Sequence, residues 1–228
     1  MIRVTSSIDY TRIVVVVPAY NEAVLLPRCI EAIRVARAAA DVEVEVIVVL
    51  DSCTDESRYF CAEDISIVRT ACRNVGAARR AGFATAPSEA TWFVTTDADC
   101  TVDPMWLRRH LAHARNGSRM VCGTVRVDDW AGHDHAVRGR YEAGYHHGHG
   151  HRHVHGANLG CSAADYAAVG GFASLTVDED VDVVTRFAAA NIPITWAGDL
   201  AVTTSARVTG RAPDGFARHL RSLTGEPA

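Results

Sequence analysis

Residues 13–22 read Ile13-Val14-Val15-Val16-Val17-Pro18-Ala19-Tyr20-Asn21-Glu22. Five β-branched residues in a row show no alternation of polar and apolar. The strand they form is therefore buried on both faces, as in a parallel sheet covered by helices. Pro18 lacks an amide N–H and is expected to end that strand. The polar residues after it then stand outside the carboxyl end of a central strand, where open α/β sheets bind ligands.

The chain that follows alternates helices and strands. Residues 25–40 are expected as a helix, with Pro27 in its first turn and Leu26, Ile30, Ile33 and Ala36 on one face. Residues 42–50 read as a strand, 55–63 as a short helix, 65–69 as a strand, 75–86 as a helix and 92–96 as a strand. These βα units set the class: α/β, with a mostly parallel central sheet flanked by helices. The second half is less regular. Residues 104–116 read as a helix and 120–127 as a strand, after which a Gly/His-rich stretch breaks the pattern. Ser162 is placed to cap a short helix ending at Gly170-Gly171, and Thr176 to cap another running to Asn191. Residues 194–197 and 201–204 read as two short strands, and the tail from Asp214 as a weak helix. With no repeat or linker, the 228 residues are expected as one domain: a nucleotide-binding half at about 12–100 and a substrate half at about 101–228.

Composition removes several function classes. The 27 acids outnumber the 23 bases, and a pI of about 6.2 offers no basic field to nucleic acid. All 23 bases are Arg, which excludes P-loop phosphate binding, Schiff-base catalysis and pyridoxal phosphate attachment. The longest apolar runs, 13–17 and 46–50, are far shorter than the roughly 20 residues of a membrane span, so no transmembrane segment is expected and peripheral membrane contact stays open. The first six residues carry no secretion-type apolar run, and the seven cysteines form no C-x-x-C pair. Both features fit reduced thiols and a cytoplasmic location.

Acidic residues follow three of the early strands: Glu22 after the first, Asp51 and Asp55 after the second, Asp97 and Asp99 after the fourth. No G-x-G-x-x-G follows the first strand, which disfavours a nicotinamide or flavin enzyme. Asp97-Ala98-Asp99 has two readings, a pair of hard oxygen ligands for Mg²⁺ or Mn²⁺ and an Asx turn. Asp178, Glu179, Asp180 and Asp182 also have two, a catalytic cluster and a capping box (Thr176-Val177-Asp178-Glu179) with acids at a helix start. Six histidines between His146 and His155 have a composition that suits a transition metal, but glycines at 144, 148, 150 and 156 point to a flexible loop beside the active site.

In order and spacing, several pieces resemble glycosyltransferase family 2 over residues 12–200. They are Val17-Pro18-Ala19-Tyr20-Asn21-Glu22, Leu50-Asp51-Ser52-Cys53-Thr54-Asp55, Asn74-Val75-Gly76-Ala77-Ala78-Arg79, Asp97-Ala98-Asp99, Gly170-Gly171-Phe172 and Glu179-Asp180. The resemblance implies a GT-A fold with a nucleotide-binding half and an acceptor-binding half. It also implies a nucleotide-diphosphate sugar donor, Mn²⁺ or Mg²⁺, and inversion at the anomeric carbon.

Carried over onto this sequence, Pro18, Tyr20 and Glu22 line the base and ribose pocket, Asp51 contacts the nucleoside and Arg79 lies near the nucleotide. Asp97 faces the ribose or sugar, Asp99 binds the metal and Asp180 is the general base. Arg207 and Arg211 are candidate diphosphate partners, while His155, Asn158 and Glu179 are candidates on the acceptor side. A late histidine ligand in related enzymes corresponds to Ser205 here, leaving His155 or His219 as substitutes. The expected activity is transfer of one sugar to a small or lipid-linked acceptor. The alternatives are a sugar nucleotidyltransferase and a non-catalytic nucleotide-sugar or metal-binding protein on the same fold.

Overall fold

A computed structural model describes residues 9–60, 62–208, 210 and 216–224. Eight strands form one sheet in the order β3-β2-β1-β4-β7-β6-β8-β5. β1 (Arg12–Ala19) lies between parallel neighbours, β2 (Glu43–Asp51) and β4 (Trp92–Thr95), and β3 (Ser66–Thr70) extends the sheet beyond β2. The other half is mixed: β7 (Leu159–Ser162) runs antiparallel to both β4 and β6 (Met120–Val127). β6 is parallel to β8 (Ile194–Thr204), and β5 (Cys100–Val102) is antiparallel to it. β1, β2, β4, β6 and β8 therefore all point their carboxyl ends to one edge of the sheet.

The unbroken apolar run of β1 feeds two cores. Ile13, Val15 and Val17 pack with α1 (Leu26–Ala39) and α3 (Trp106–Arg115). Val14 and Val16 face α2 (Val75–Ala84) and α6 (Glu179–Ala189), where Phe83, Phe172 and Phe187 gather. A smaller cluster joins Val137 and Tyr141 of α4 (His135–Gly144) to Leu220 of α7 (Phe216–Ser222). The described cysteines are free, with Cys29, Cys100, Cys122 and Cys161 buried.

Several expectations are corrected. Pro18 does not end β1 but pairs in register with Val49 of β2. Val16 accepts from Thr96 on the β4 side, so two residues on Pro18 faces that same side, beyond the end of β4, and its missing N–H breaks no ladder. The helix expected over 55–63 is one 3₁₀ turn, Glu56–Tyr59. Thr176 is not a cap: α6 starts at Glu179 behind Asp178, which takes a left-handed φ of 59° and makes no capping bond with its side chain. Residues 194–197 and 201–204 are one strand, β8, whose register against β6 slips between Gly123 and Thr124, leaving residues 198–200 unpaired in a bulge. Ser162 does cap its helix, α5 (Ala163–Ala168), accepting from the Asp165 amide.

Residues 145–155, expected as a flexible loop, follow α4 and carry no helix or strand, and several of their rings pack on one another. Tyr145 stacks on His153 at 4.0 Å, His153 lies 5.6 Å from His151, and His151 is buried. Gly150 donates to the Trp196 carbonyl of β8, so the run lies along the sheet.

Candidate active site

β4 runs out at Thr95, and the chain turns through Asp97 and Asp99 into β5, with the Cys100 amide donating to the Asp97 carbonyl at 3.0 Å. The turn, not the strand pleat, brings both carboxylates to one place. Their ligand atoms and the Cys100 thiol lie within 4.8 Å of one another, the only such three-residue group among the described residues. Burial, followed by the charges of Asp99 and Asp97, pushes the Cys100 thiol well above its ordinary pKa. The two carboxylates of this group are hard oxygen donors of the kind that suit Mg²⁺ or Mn²⁺. His155 and His219 are not in this group.

Two arginines meet the two acids. Arg79 of α2 donates to Asp97 Oδ1 at 2.6 Å and to Thr95 Oγ1 at 3.2 Å, and its third donor bonds Glu179 at the start of α6. It is 2% exposed, with its guanidinium 5.4 Å over the Phe172 ring. Burial alone would lower its pKa, but Asp97, Glu179 and Asp180 outweigh burial and raise it. Arg79 is thus a buried permanent cation that pins the Asp97 turn to the Glu179-Asp180 pair. Burial raises the Asp97 carboxyl above its ordinary range, Arg79 draws it part of the way back and Asp99 pushes it up again. Arg207, just after β8, bonds Asp99 and donates to Glu22 at 2.7 Å.

Asp180 Oδ2 accepts from the Gly156 amide at 2.7 Å. Gly156 is required here because a Cβ would stand 2.4 Å from the Arg79 guanidinium. His155, one residue earlier, faces the Tyr145 hydroxyl at 2.8 Å. The same hydroxyl accepts from the Val125 amide at 3.0 Å. Burial, then neighbouring His153, lowers His155 to about 3, so its ring is neutral.

The remaining candidates fall into two groups. Pro18 and Tyr20 lie at the carboxyl end of β1, and the Tyr20 hydroxyl accepts from Arg73 at 2.9 Å. Glu22 is buried against Arg207 and the Ser57 hydroxyl. Asp51, Asn158 and Glu179, in contrast, have their polar atoms committed within the fold. Asp51 accepts from Thr70 and from the Cys72 and Asn74 amides, at 2.9, 2.7 and 2.9 Å. Burial raises its pKa, and these bonds more than reverse that, holding it below the ordinary range. Because Asn74 caps α2, Asp51 also sets where the Arg79 helix begins.

Asn158 is fully buried, accepting from Trp106 at 2.9 Å and donating to the Thr124 and Leu200 carbonyls at 2.8 and 2.9 Å. Glu179 is 7% exposed and turned to Arg79. Arg211 lies outside the described residues. The pattern of residues had not pointed to Thr95 or Tyr145; no motif marks either one.

No curated protein matches the chain by sequence. Among solved structures it is similar to S. aureus TarS 1–349 in complex with UDP-GlcNAc, at 16% identity and TM-score 0.66, covering 94% of this chain and 66% of that one. It is also similar to the mannosyltransferase PcManGT from Pyrobaculum calidifontis in complex with GDP-Man and Mn²⁺, at 18% identity and TM-score 0.65, covering 95% and 65%. The chain thus spans about two thirds of the length of these proteins, and the shared architecture is the GT-A fold. No helix among the described residues is long and apolar enough to cross a membrane. Residues 14–166 match the family model described as glycosyl transferase family 2, which takes in β1, the acidic turn after β4 and the strands as far as β7; this chain belongs to that family.

Proposed function

We propose that the protein transfers one sugar from a nucleotide-diphosphate donor to the hydroxyl of a small or lipid-linked acceptor in the cytoplasm, with inversion at the anomeric carbon. One observation carries the reading: buried Arg79 bonds Asp97 of the acidic turn and Glu179 at the start of α6, and it also feels the charge of the neighbouring Asp180, so acids from both parts of the chain gather around one cation. The complexes of the two solved neighbours with UDP-GlcNAc and with GDP-Man and Mn²⁺ support it.

In this mechanism Pro18, Tyr20 and Glu22 border the nucleoside, and Asp97 faces the donor's ribose or sugar. Asp99, with Asp97 beside it, holds Mn²⁺ or Mg²⁺, which when bound neutralises charge on the diphosphate. Asp180, fixed by the Gly156 amide, accepts the acceptor hydroxyl's proton as that oxygen bonds the anomeric carbon from the face opposite the diphosphate. The bond from that carbon to the diphosphate oxygen breaks with its electron pair, and Arg207 turns from Asp99 to the charge that grows there. Arg79, Asp51 and Asn158 act as positioning residues. Glu179 likewise works through Arg79.

Asp180→Asn keeps the shape and the Gly156 contact but removes the base. Transfer is expected to fall about 10²-fold or more with nucleoside-diphosphate affinity unchanged, read by product formation and calorimetry. Full turnover in that variant overturns the assignment. Release of pyrophosphate from a nucleoside triphosphate would point to a nucleotidyltransferase instead.

A further inference from the structure

Two backbone amides aim the Asp180 carboxylate. Its Oδ1 accepts from the Val181 amide at 2.8 Å and its Oδ2 from the Gly156 amide at 2.7 Å. The first amide lies within α6, whereas the second comes from the turn before β7. Gly156 therefore sets where the carboxylate points relative to the rest of the pocket.

That turn, residues 155–158, is closed by the Asn158 amide donating to the His155 carbonyl at 2.9 Å, and both of its ends are tied to neighbouring residues of β6. At the far end Asn158 donates from its own side chain to the Thr124 carbonyl at 2.8 Å. At the near end the tie needs a third residue: His155 Nε2 meets the Tyr145 hydroxyl at 2.8 Å, and that hydroxyl accepts from the Val125 amide at 3.0 Å. The Tyr145 ring is held separately from its hydroxyl, by stacking on His153 at 4.0 Å and on Tyr141 at 5.2 Å. Burial pushes the Tyr145 phenol up to about 12 and lowers His155 to about 3, so both partners stay neutral at working pH.

The geometry points to Tyr145 as a positioning residue for the reaction: through His155 its hydroxyl holds the Gly156 amide against Asp180 and so aims the general base. This role rests on the transferase reading above, with Asp180 as the base. It also turns His155 inward, in place of the acceptor contact expected for it from sequence. Asp180 takes a proton from the attacking oxygen and has no part in gripping the diphosphate, so a base slightly out of line costs rate and spares donor affinity.

The test compares the full ¹⁵N-labelled chain with Tyr145→Phe, which keeps the stacked ring and removes the bond, and follows amide hydrogen exchange by NMR. Loss of one neutral hydrogen bond is expected to quicken exchange at Gly156 about threefold to tenfold, while the amides of β1 keep their rates. Turnover is read as nucleoside diphosphate released from UDP-GlcNAc, UDP-glucose, TDP-glucose and GDP-Man with Mn²⁺, with water in the acceptor's place. For a donor that is turned over, kcat is expected to fall about threefold to tenfold with KM and diphosphate affinity unchanged. In the Asp180→Asn background, where the base is already gone, Tyr145→Phe is expected to cost nothing further. His155→Leu removes the other half of the bond and is expected to repeat the Tyr145→Phe result.

An unmoved Gly156 rate, an unchanged kcat or an undiminished further loss in Asp180→Asn overturns the role of Tyr145 and leaves the transferase reading intact. Equal quickening in β1 makes the effect one of general stability and overturns it too. If the wild type turns over none of the four donors, the transferase reading fails instead, and exchange at Gly156 still decides whether Tyr145 holds that amide.

Discussion

At the scale of single residues, Arg207 stands where a metal's charge is needed. Its guanidinium bonds Asp99 and Glu22 at once, and both acids hold its pKa above the ordinary value against the effect of burial. Mn²⁺ must therefore compete with it for Asp99. Arg207→Gln is expected to raise Mn²⁺ affinity about threefold to tenfold in the absence of nucleotide, the range of a partly exposed ion pair, while weakening diphosphate binding. Electron paramagnetic resonance of free Mn²⁺ measures the first effect, and unchanged or weaker Mn²⁺ binding would refute the competition. Much of this neighbourhood was legible in sequence: Glu22, Asp97, Asp99 and Asp180 were named from their motifs, and Arg207 from its charge. The inward roles of Asp51, Asn158 and Glu179 were not. They depend on partners far along the chain, such as Arg79 bonding an acid 100 residues away, and spacing in sequence carries no trace of that.

At the scale of elements, the site depends on how closely α2 approaches the start of α6. A Cβ on Gly76 would meet the Ala173 carbonyl at 2.2 Å and the Glu179 side chain at 3.0 Å. Gly76→Ala cannot keep this contact, so the helices must part and Arg79 must loosen from Glu179. The expected loss is about 1–3 kcal/mol of stability in urea, with a larger fall in transfer than in diphosphate affinity. Wild-type stability and turnover in the variant would show that the contact yields freely.

Elements with strong apolar patterns were readable: β1, α1, β2, α2, α3 and β6 lie close to where those patterns put them. Three others were missed for physical reasons. β5 is three residues long, and β7, Leu159-Gly160-Cys161-Ser162, is a strand because β4 and β6 pair with it, not because of its own residues. α4 buries only Val137 and Tyr141, too little to mark a helical face among so many glycines and histidines.

At the scale of the whole molecule, acid should undo the fold partly through one residue. His110 of α3 is fully buried, and neither ring nitrogen has a hydrogen-bond partner. Burial, and secondarily His113, lowers its pKa from 6.5 to about 3. The unfolded chain therefore binds a proton between these values that the folded chain refuses. Stability is complete above about pH 6.5 and falls as pH drops toward 3, by about 2 kcal/mol at pH 5 from this group. His110→Leu should flatten that part of the curve, as measured by urea unfolding at pH 7.5 and 5.0. An identical loss in both proteins would exclude His110 as the source.

The grip of Arg79 also limits how this chain can be recombined. It bonds Asp97 from the early part of the sequence and Glu179 from beyond the span matched to the family, so each part holds only some of its partners. A chimera that exchanges the later segment for a relative's inherits a buried guanidinium whose second acid must arrive with the graft. Shuffled libraries should accordingly yield folded members chiefly where a carboxylate returns at position 179, and crossovers that lose it should drop out before any question of sugar preference arises.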